Sequence, residues 1–173
     1  MAAERTSPSE QELRRLAEKL GECLVTKGLK LASAESCTGG WLAKIITDIP
    51  GSSLWFSGSV VCYSNEFKHS LLDVNEDTLF EYGAVSGETV LELSTGLLSH
   101  TEADVVVSFT GIAGPGGGSD EKPVGLVWLS WGKRERPIFS DSYHFDGDRE
   151  NVRKLSLQQA LVNLQQLLNC DEE

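Results

Sequence analysis

Residues Val105 to Phe109 read Val-Val-Val-Ser-Phe, with Asp104 before them and a glycine-rich loop after. A short apolar run bounded in this way predicts a strand buried on both faces. Such a strand requires cover above and below, and the chain supplies it. Helical and strand patterns alternate along its length, which predicts an α/β fold: a three-layer α/β/α sandwich around a mixed β-sheet.

Ser7-Pro8-Ser9-Glu10 predicts a helix start, with Ser7 as cap, Pro8 at the first helical position and Glu10 closing a capping box. Leu13, Leu16, Leu20 and Leu24 then mark one face, and Gly28 is the stop. Leu29 to Ala34 and Phe56 to Tyr63 are strand candidates. Between them, a helix with Trp41, Leu42, Ile45 and Ile46 inward ends at Pro50-Gly51. Asn65 is placed to cap a short helix carrying Lys68, Leu71 and Leu72. A further short helix spans about Glu76 to Tyr82. Ser86 caps a helix with Val90, Leu93 and Leu97 inward. Val124 to Trp131 and Ile138 to Phe145 read as an antiparallel pair around the turn Gly132 to Arg136. Asp148 caps the last helix, whose Leu157, Leu161, Leu164 and Leu168 form a stripe.

The chain's 173 residues suit one domain spanning positions 1–173, with a core from about 10 to 168. The ends, Met1 to Thr6 and Asp171 to Glu173, are expected to fray. A formal net charge of −11 argues against general binding to nucleic acid. It leaves room for one phosphate held by local donors. No run approaches the roughly 18 apolar residues of a membrane span, and the N-terminus lacks a secretory pattern. The expected compartment is therefore the cytoplasm, with no membrane partner. Cys23, Cys37, Cys62 and Cys170 form no CxxC pair, and in that compartment they are expected to be free thiols. His69, His100 and His144 are scattered, so no transition-metal site is expected.

Chemistry has three candidate places. Glu35-Ser36-Cys37-Thr38-Gly39-Gly40 lies between a strand and a helix, where outward-pointing amides can hold an oxyanion or a phosphate. Ser36 and Cys37 compete there as nucleophiles; a capped turn is the structural alternative. Tyr63 ends a strand and Lys68 lies about one turn into a helix, so both can face the same sheet edge. A lysine depressed by burial can deprotonate a serine, and a tyrosine can relay a proton. The alternative is a surface lysine beside a packed tyrosine. Thr110 to Gly118 holds five glycines directly after the buried strand. It is neither a Walker A loop nor GxGxxG, and it reads as a nucleotide-binding loop or a flexible surface loop. In addition, Arg149 and Arg153 share a helix face and can grip phosphate, or can be ordinary surface charge.

Taken in order, Ala34 to Gly40, Pro50-Gly51-Ser52-Ser53, Tyr63-Ser64-Asn65 with Lys68, Gly83-Ala84-Val85-Ser86, Gly111 to Pro115, Lys122-Pro123-Val124-Gly125 and Gly147-Asp148-Arg149 carry a resemblance. The chain resembles the nicotinamide-nucleotide amidase family, the CinA carboxy-terminal domain, over roughly Glu10 to Leu168. The resemblance implies deamidation of nicotinamide mononucleotide to nicotinate mononucleotide and ammonia, within pyridine nucleotide recycling towards NAD. It implies a mixed sheet with helices on both faces, no metal, no cofactor and often a homo-oligomer. It makes Ser36 the nucleophile and Lys68 and Tyr63 its activating partners. It also lines the nucleotide site with Thr38, Gly39, Gly40, Thr110, Gly111, Ala113, Gly114 and Arg149. In two respects the chain departs from the family. Some members carry an added N-terminal domain with pyrophosphatase activity, for which this chain is too short. Cys62 stands where the pattern has threonine. Two other readings remain: a non-catalytic nucleotide-binding module, and an interaction protein docking through its acidic surface. Thiol chemistry at Cys37 is a third.

Overall fold

The apolar run lies in a strand spanning Val105–Gly111, whose first six residues are all buried. This is the central strand of a computed structural model that describes residues 7–170. The expected fraying of 1–6 and 171–173 lies outside those residues. In chain order the elements are α1 (Glu10–Lys27), β1 (Leu31–Glu35), α2 (Trp41–Thr47), a 3-10 turn (Ser52–Leu54), β2 (Phe56–Val61), α3 (Asn65–Leu72), α4 (Glu76–Glu81), α5 (Gly87–His100), β3 (Val105–Gly111), β4 (Leu126–Lys133), β5 (Ile138–His144) and α6 (Arg149–Leu167). The sheet order is β2-β1-β3-β4-β5. The first three strands are parallel, and β4 and β5 are antiparallel additions.

Side-chain alternation builds the three layers. Leu31, Val105, Val107 and Phe109 pack with Leu13, Leu20, Leu24 and the stripe Leu157, Leu161, Leu164, Leu168, so α1, α2 and α6 cover one face. Ala32, Ala34 and Val106 point the other way, against Leu72, Leu93 and Leu97 of α3 and α5. Each fully buried leucine contributes about 1.5–3 kcal/mol relative to exposure. The α5 face also buries three serines. Ser94 Oγ bonds Ser108 Oγ at 2.8 Å and Ser130 Oγ at 2.5 Å, and Ser130 donates to the Val90 carbonyl at 2.7 Å.

Two caps differ from expectation. Helix α1 starts two residues later than the Ser7 reading: Ser9 is the cap and Glu12 completes the box. Ser-x-x-Glu occurs twice in this stretch, and in the observed helix Leu13 is fully buried. Ser64 caps α3, accepting from the Phe67 amide at 3.1 Å, and Asn65 is the first helical residue. Gly28, Ser86 and Asp148 act as expected.

The cysteines also differ from the expectation of four free thiols. Cys23 near the end of α1 and Cys170 beyond α6 are disulfide-bonded, with Cα atoms 5.7 Å apart. The packing of α1 on α6 brings them together; Gln165 Nε2 donates to the Leu16 carbonyl at 2.8 Å in the same seam. Cys37 and Cys62 are free and buried. Among the described residues no helix is long and apolar enough to cross a membrane. Nor do three His, Cys, Asp or Glu side chains there gather into a group able to hold a metal ion.

Candidate active site

The connection from β1 leads through α2 to β2 on one side. The chain then returns to β3 on the opposite side of β1. The crevice at the carboxyl end of β1 is thus a topological switch point, the usual ligand position in such sheets. Ser36 to Gly40 occupies it.

That turn is built from two consecutive backbone hydrogen bonds. The Gly39 amide donates to the Ser36 carbonyl at 3.0 Å and the Trp41 amide to the Thr38 carbonyl at 3.2 Å. The amides of Cys37, Thr38 and Gly40 are left out of those bonds. Gly39 and Gly40 both have positive φ, at 63° and 89°, a conformation that favours glycine.

Helix α2 begins without a capping side chain at Gly40. Its exposed amides are taken instead by Glu35, the last residue of β1. The Glu35 carboxylate accepts from the Leu42 amide at 3.0 Å and the Ala43 amide at 2.9 Å, with Ser59 Oγ at 3.3 Å. A fully buried carboxylate on a helix N-terminus is stabilised by the helix dipole and by charge-assisted bonds. The anion-holding capacity expected of this helix start is therefore already used at Leu42 and Ala43. The amides of Cys37, Thr38 and Gly40 in the turn itself take no part in holding Glu35. Sequence reasoning gave Glu35 no role.

Alternation along β1 sends Leu31, Ser33 and Glu35 towards the α1 and α2 face, and Ser36 towards α3. There it meets Lys68, whose Nζ lies 3.1 Å from Ser36 Oγ. Lys68 also donates to the Cys62 carbonyl at 2.8 Å and the Tyr63 carbonyl at 3.3 Å. Lys68 is 1 % exposed and takes part in none of the ion pairs of the described residues. Burial pushes its pKa below the ordinary lysine value. A neutral amine here has two N–H donors for the two carbonyls and a lone pair for the Ser36 hydroxyl proton. Seen from sequence this was either a surface lysine or a base; its burial removes the first reading.

Tyr63 is placed differently from a relay. Its carbonyl faces Lys68, but its phenol, on a residue 61 % exposed, accepts from Arg149 Nη2 at 3.2 Å. The contact between Lys68 and Ser36 is direct. Arg149 Nη1 donates to the Gly114 carbonyl at 2.8 Å. The arginine so bridges the segments that follow β2 and β3, the two neighbours of β1.

The remaining expected lining residues divide by burial. Thr38, Thr110 and Ala113 have buried side chains. Thr110 Oγ1 donates to the Ala84 carbonyl at 2.6 Å, tying the loop before α5 to β3. Thr38 Oγ1 has no hydrogen-bond partner among the described residues. The Gly111 position is crowded by Leu126 and Val127, and that of Gly114 by Val124, so a side chain at either would collide. These residues can present backbone, not side chains, to a ligand.

Cys37 packs into the core under α1 and α6, and burial pushes its thiol up to about 12. A thiol with that pKa supplies almost no thiolate at neutral pH. Of the two nucleophile candidates, Ser36 alone has the Lys68 amine within hydrogen-bond distance.

Known proteins are similar to this chain over most of its length. The model of the CinA C-terminal domain matches residues 13–168. The nicotinamide-nucleotide amidohydrolase PncC of Enterobacter agglomerans is 50% identical over 160 residues, covering 92% of this chain and 96% of that protein. Its namesake from Escherichia coli K12 is 46% identical over 158 residues, covering 91% and 96%. The crystal structure of the competence/damage inducible protein CihA from Agrobacterium tumefaciens superposes with a TM-score of 0.89 at 38% identity, covering 94% of this chain and 98% of that one. With a family match over nearly its whole length and relatives this similar, the chain belongs to the CinA C-terminal domain family.

Proposed function

We propose that the protein is an amidohydrolase that deamidates nicotinamide mononucleotide to nicotinate mononucleotide and ammonia, with Ser36 as nucleophile and Lys68 as base. The names of its relatives supply the substrate class. The observation that carries the chemistry is the 3.1 Å contact between Ser36 Oγ and a desolvated Lys68 Nζ.

In this reading neutral Lys68 takes the Ser36 proton as Oγ bonds to the carboxamide carbon. The carbonyl electrons move to oxygen, and amides of the Cys37 to Gly40 turn or of the Ala113-Gly114 segment stabilise the oxyanion. One such donor contributes about 100- to 1000-fold in rate where it has been removed elsewhere. Collapse breaks the carbon–nitrogen bond, and the proton on Lys68 passes to the leaving ammonia. Water then attacks the acyl ester, giving its proton to Lys68, and the carboxylate leaves as Ser36 is reprotonated. Arg149 meets the substrate phosphate. This local cation works against a net charge of −11, so long-range steering is weak.

The test is ammonia release from nicotinamide mononucleotide by wild type, Ser36→Ala and Cys37→Ala. Activity in wild type and Cys37→Ala, with none in Ser36→Ala, is expected. A folded but inactive wild type that still binds the nucleotide would instead make it a binding module.

A further inference from the structure

Arg149 and Arg153 lie one turn apart on α6, yet their guanidinium groups do different things. Arg149 is exposed and spans the mouth of the site. Arg153 is half-buried and reaches under the nucleophile turn, where Nη2 donates to the Thr38 carbonyl at 2.9 Å. Its guanidinium carbon sits 4.7 Å from the centre of the Trp41 ring, a cation–π distance. Trp41 is the first residue of α2, and its own amide is the second donor to the Thr38 carbonyl. A Cβ on Gly39 would come within 3.5 Å of Arg153 Nη2, so the turn rests against the guanidinium.

We propose that Arg153 is a positioning residue of the amidase reaction: by gripping the Thr38 carbonyl and stacking on Trp41 it fixes the Ser36–Gly40 turn in its reactive geometry. This rests on the function proposed above. The Thr38 carbonyl lies two residues beyond Ser36, and the amides left out of the turn's internal bonds flank it. Clamping that peptide therefore fixes both the nucleophile and the oxyanion donors relative to Lys68. Arginine suits the task, because a planar fork can donate edge-on while its face stacks. Lysine can do only one of the two well.

The experiment measures kcat and KM separately for wild type, Arg153→Lys and Arg153→Met, with melting curves to verify folding. Each is run on nicotinamide mononucleotide and on the corresponding riboside, which lacks the phosphate. Misplacement of a reacting group by about 1 Å can cost on the order of 100-fold. Arg153→Met is expected to lose roughly 10- to 100-fold in kcat on both substrates, by the same misplacement argument, with KM nearly unchanged. Arg153→Lys is expected to recover part of the loss. A raised KM on the nucleotide that disappears with the riboside would overturn the proposal, since Arg153 would then bind phosphate. Unchanged kcat would overturn it as well. Should Arg153→Met fail to fold, Trp41→Leu removes the stacking ring while leaving the Arg153 bond to Thr38. It is expected to lower kcat at constant KM, and an unchanged kcat there counts against the clamp. Wild type that releases no ammonia would sink the underlying amidase reading instead.

Discussion

Glu35 and Ser36 are neighbours that point to opposite sides of the sheet edge and do complementary work. Glu35 Oε2 and Oε1 hold the Leu42 and Ala43 amides of α2, while Ser36 Oγ meets Lys68 from α3. One buried carboxylate thus anchors the helix on one face, and one buried amine lies within hydrogen-bond distance of a hydroxyl on the other. Glu35→Gln keeps the size but removes the charge and turns an N–H towards one of the amides. The variant is expected to lose about 1–3 kcal/mol of stability, the cost of an unsatisfied buried group. Urea unfolding of the two proteins side by side measures it. A midpoint equal to wild type would show that the α2 amides find other partners.

Burying the Lys68 amine costs stability. Burial lowers its pKa in the folded chain below the ordinary 10.5. Between the folded value and 10.5 the unfolded chain binds a proton that the folded chain does not, so this group's effect on stability improves as pH rises through that window. Below the window the penalty is complete. Lys68→Met removes it, and the variant is expected to be inactive yet to melt higher than wild type. The gap should be widest at low pH and narrow as pH approaches 10.5. Melting curves from pH 6 to 10 follow it, at about 2–4 °C per kcal/mol for a chain of this size. A lower melting temperature for Lys68→Met at every pH would contradict the burial argument.

What could be read in advance follows from the range of the forces involved. The buried strand β3 is a local pattern, and the Val105 to Phe109 run announces it and with it the layered fold. The α3 register that brings Lys68 to the β1 edge is also local. Its lowered pKa is not, because desolvation depends on everything packed around it. The two Ser-x-x-Glu stretches before Leu13 look alike locally, and only core packing selects the second. Glu35 has no sequence signal, since its partners exist only once α2 folds back onto β1. The opposite faces taken by Ser36 and Cys37 are legible in principle. Alternation from buried Leu31 sends odd positions, including Cys37, to the α1 face and Ser36 to the α3 face.

The bond between Cys23 and Cys170 closes a loop across a sequence separation of 147 and ties α1 to the end of α6. A cross-link of this kind typically contributes about 2–4 kcal/mol, mainly by restricting the unfolded chain. Thiol titration of the denatured, unreduced protein is expected to find two reactive groups, Cys37 and Cys62. Reduction before denaturation should bring all four into reaction and lower the unfolding midpoint. Four thiols without a reductant would mean that the bond does not form under those conditions.

Tyr63 offers the sharpest separation of positioning from proton transfer. Its phenol accepts from Arg149, whose other nitrogen donates to Gly114, while the Lys68 to Ser36 bond passes beside it. A relay would place the loss in kcat. A prop for Arg149, the proposed phosphate contact, would place it in KM. Tyr63→Phe keeps the ring and deletes only the hydroxyl, and with it a solvent-exposed hydrogen bond from a guanidinium, worth about 0.5–1.5 kcal/mol after screening by water. The geometry predicts a rise in KM of about 2- to 10-fold, the same energy expressed as affinity, with kcat within about twofold. The riboside, which lacks the phosphate, should show no such rise. A kcat collapse in Tyr63→Phe with unchanged KM would restore the phenol to the proton path, and would require Arg149 to release it when substrate binds.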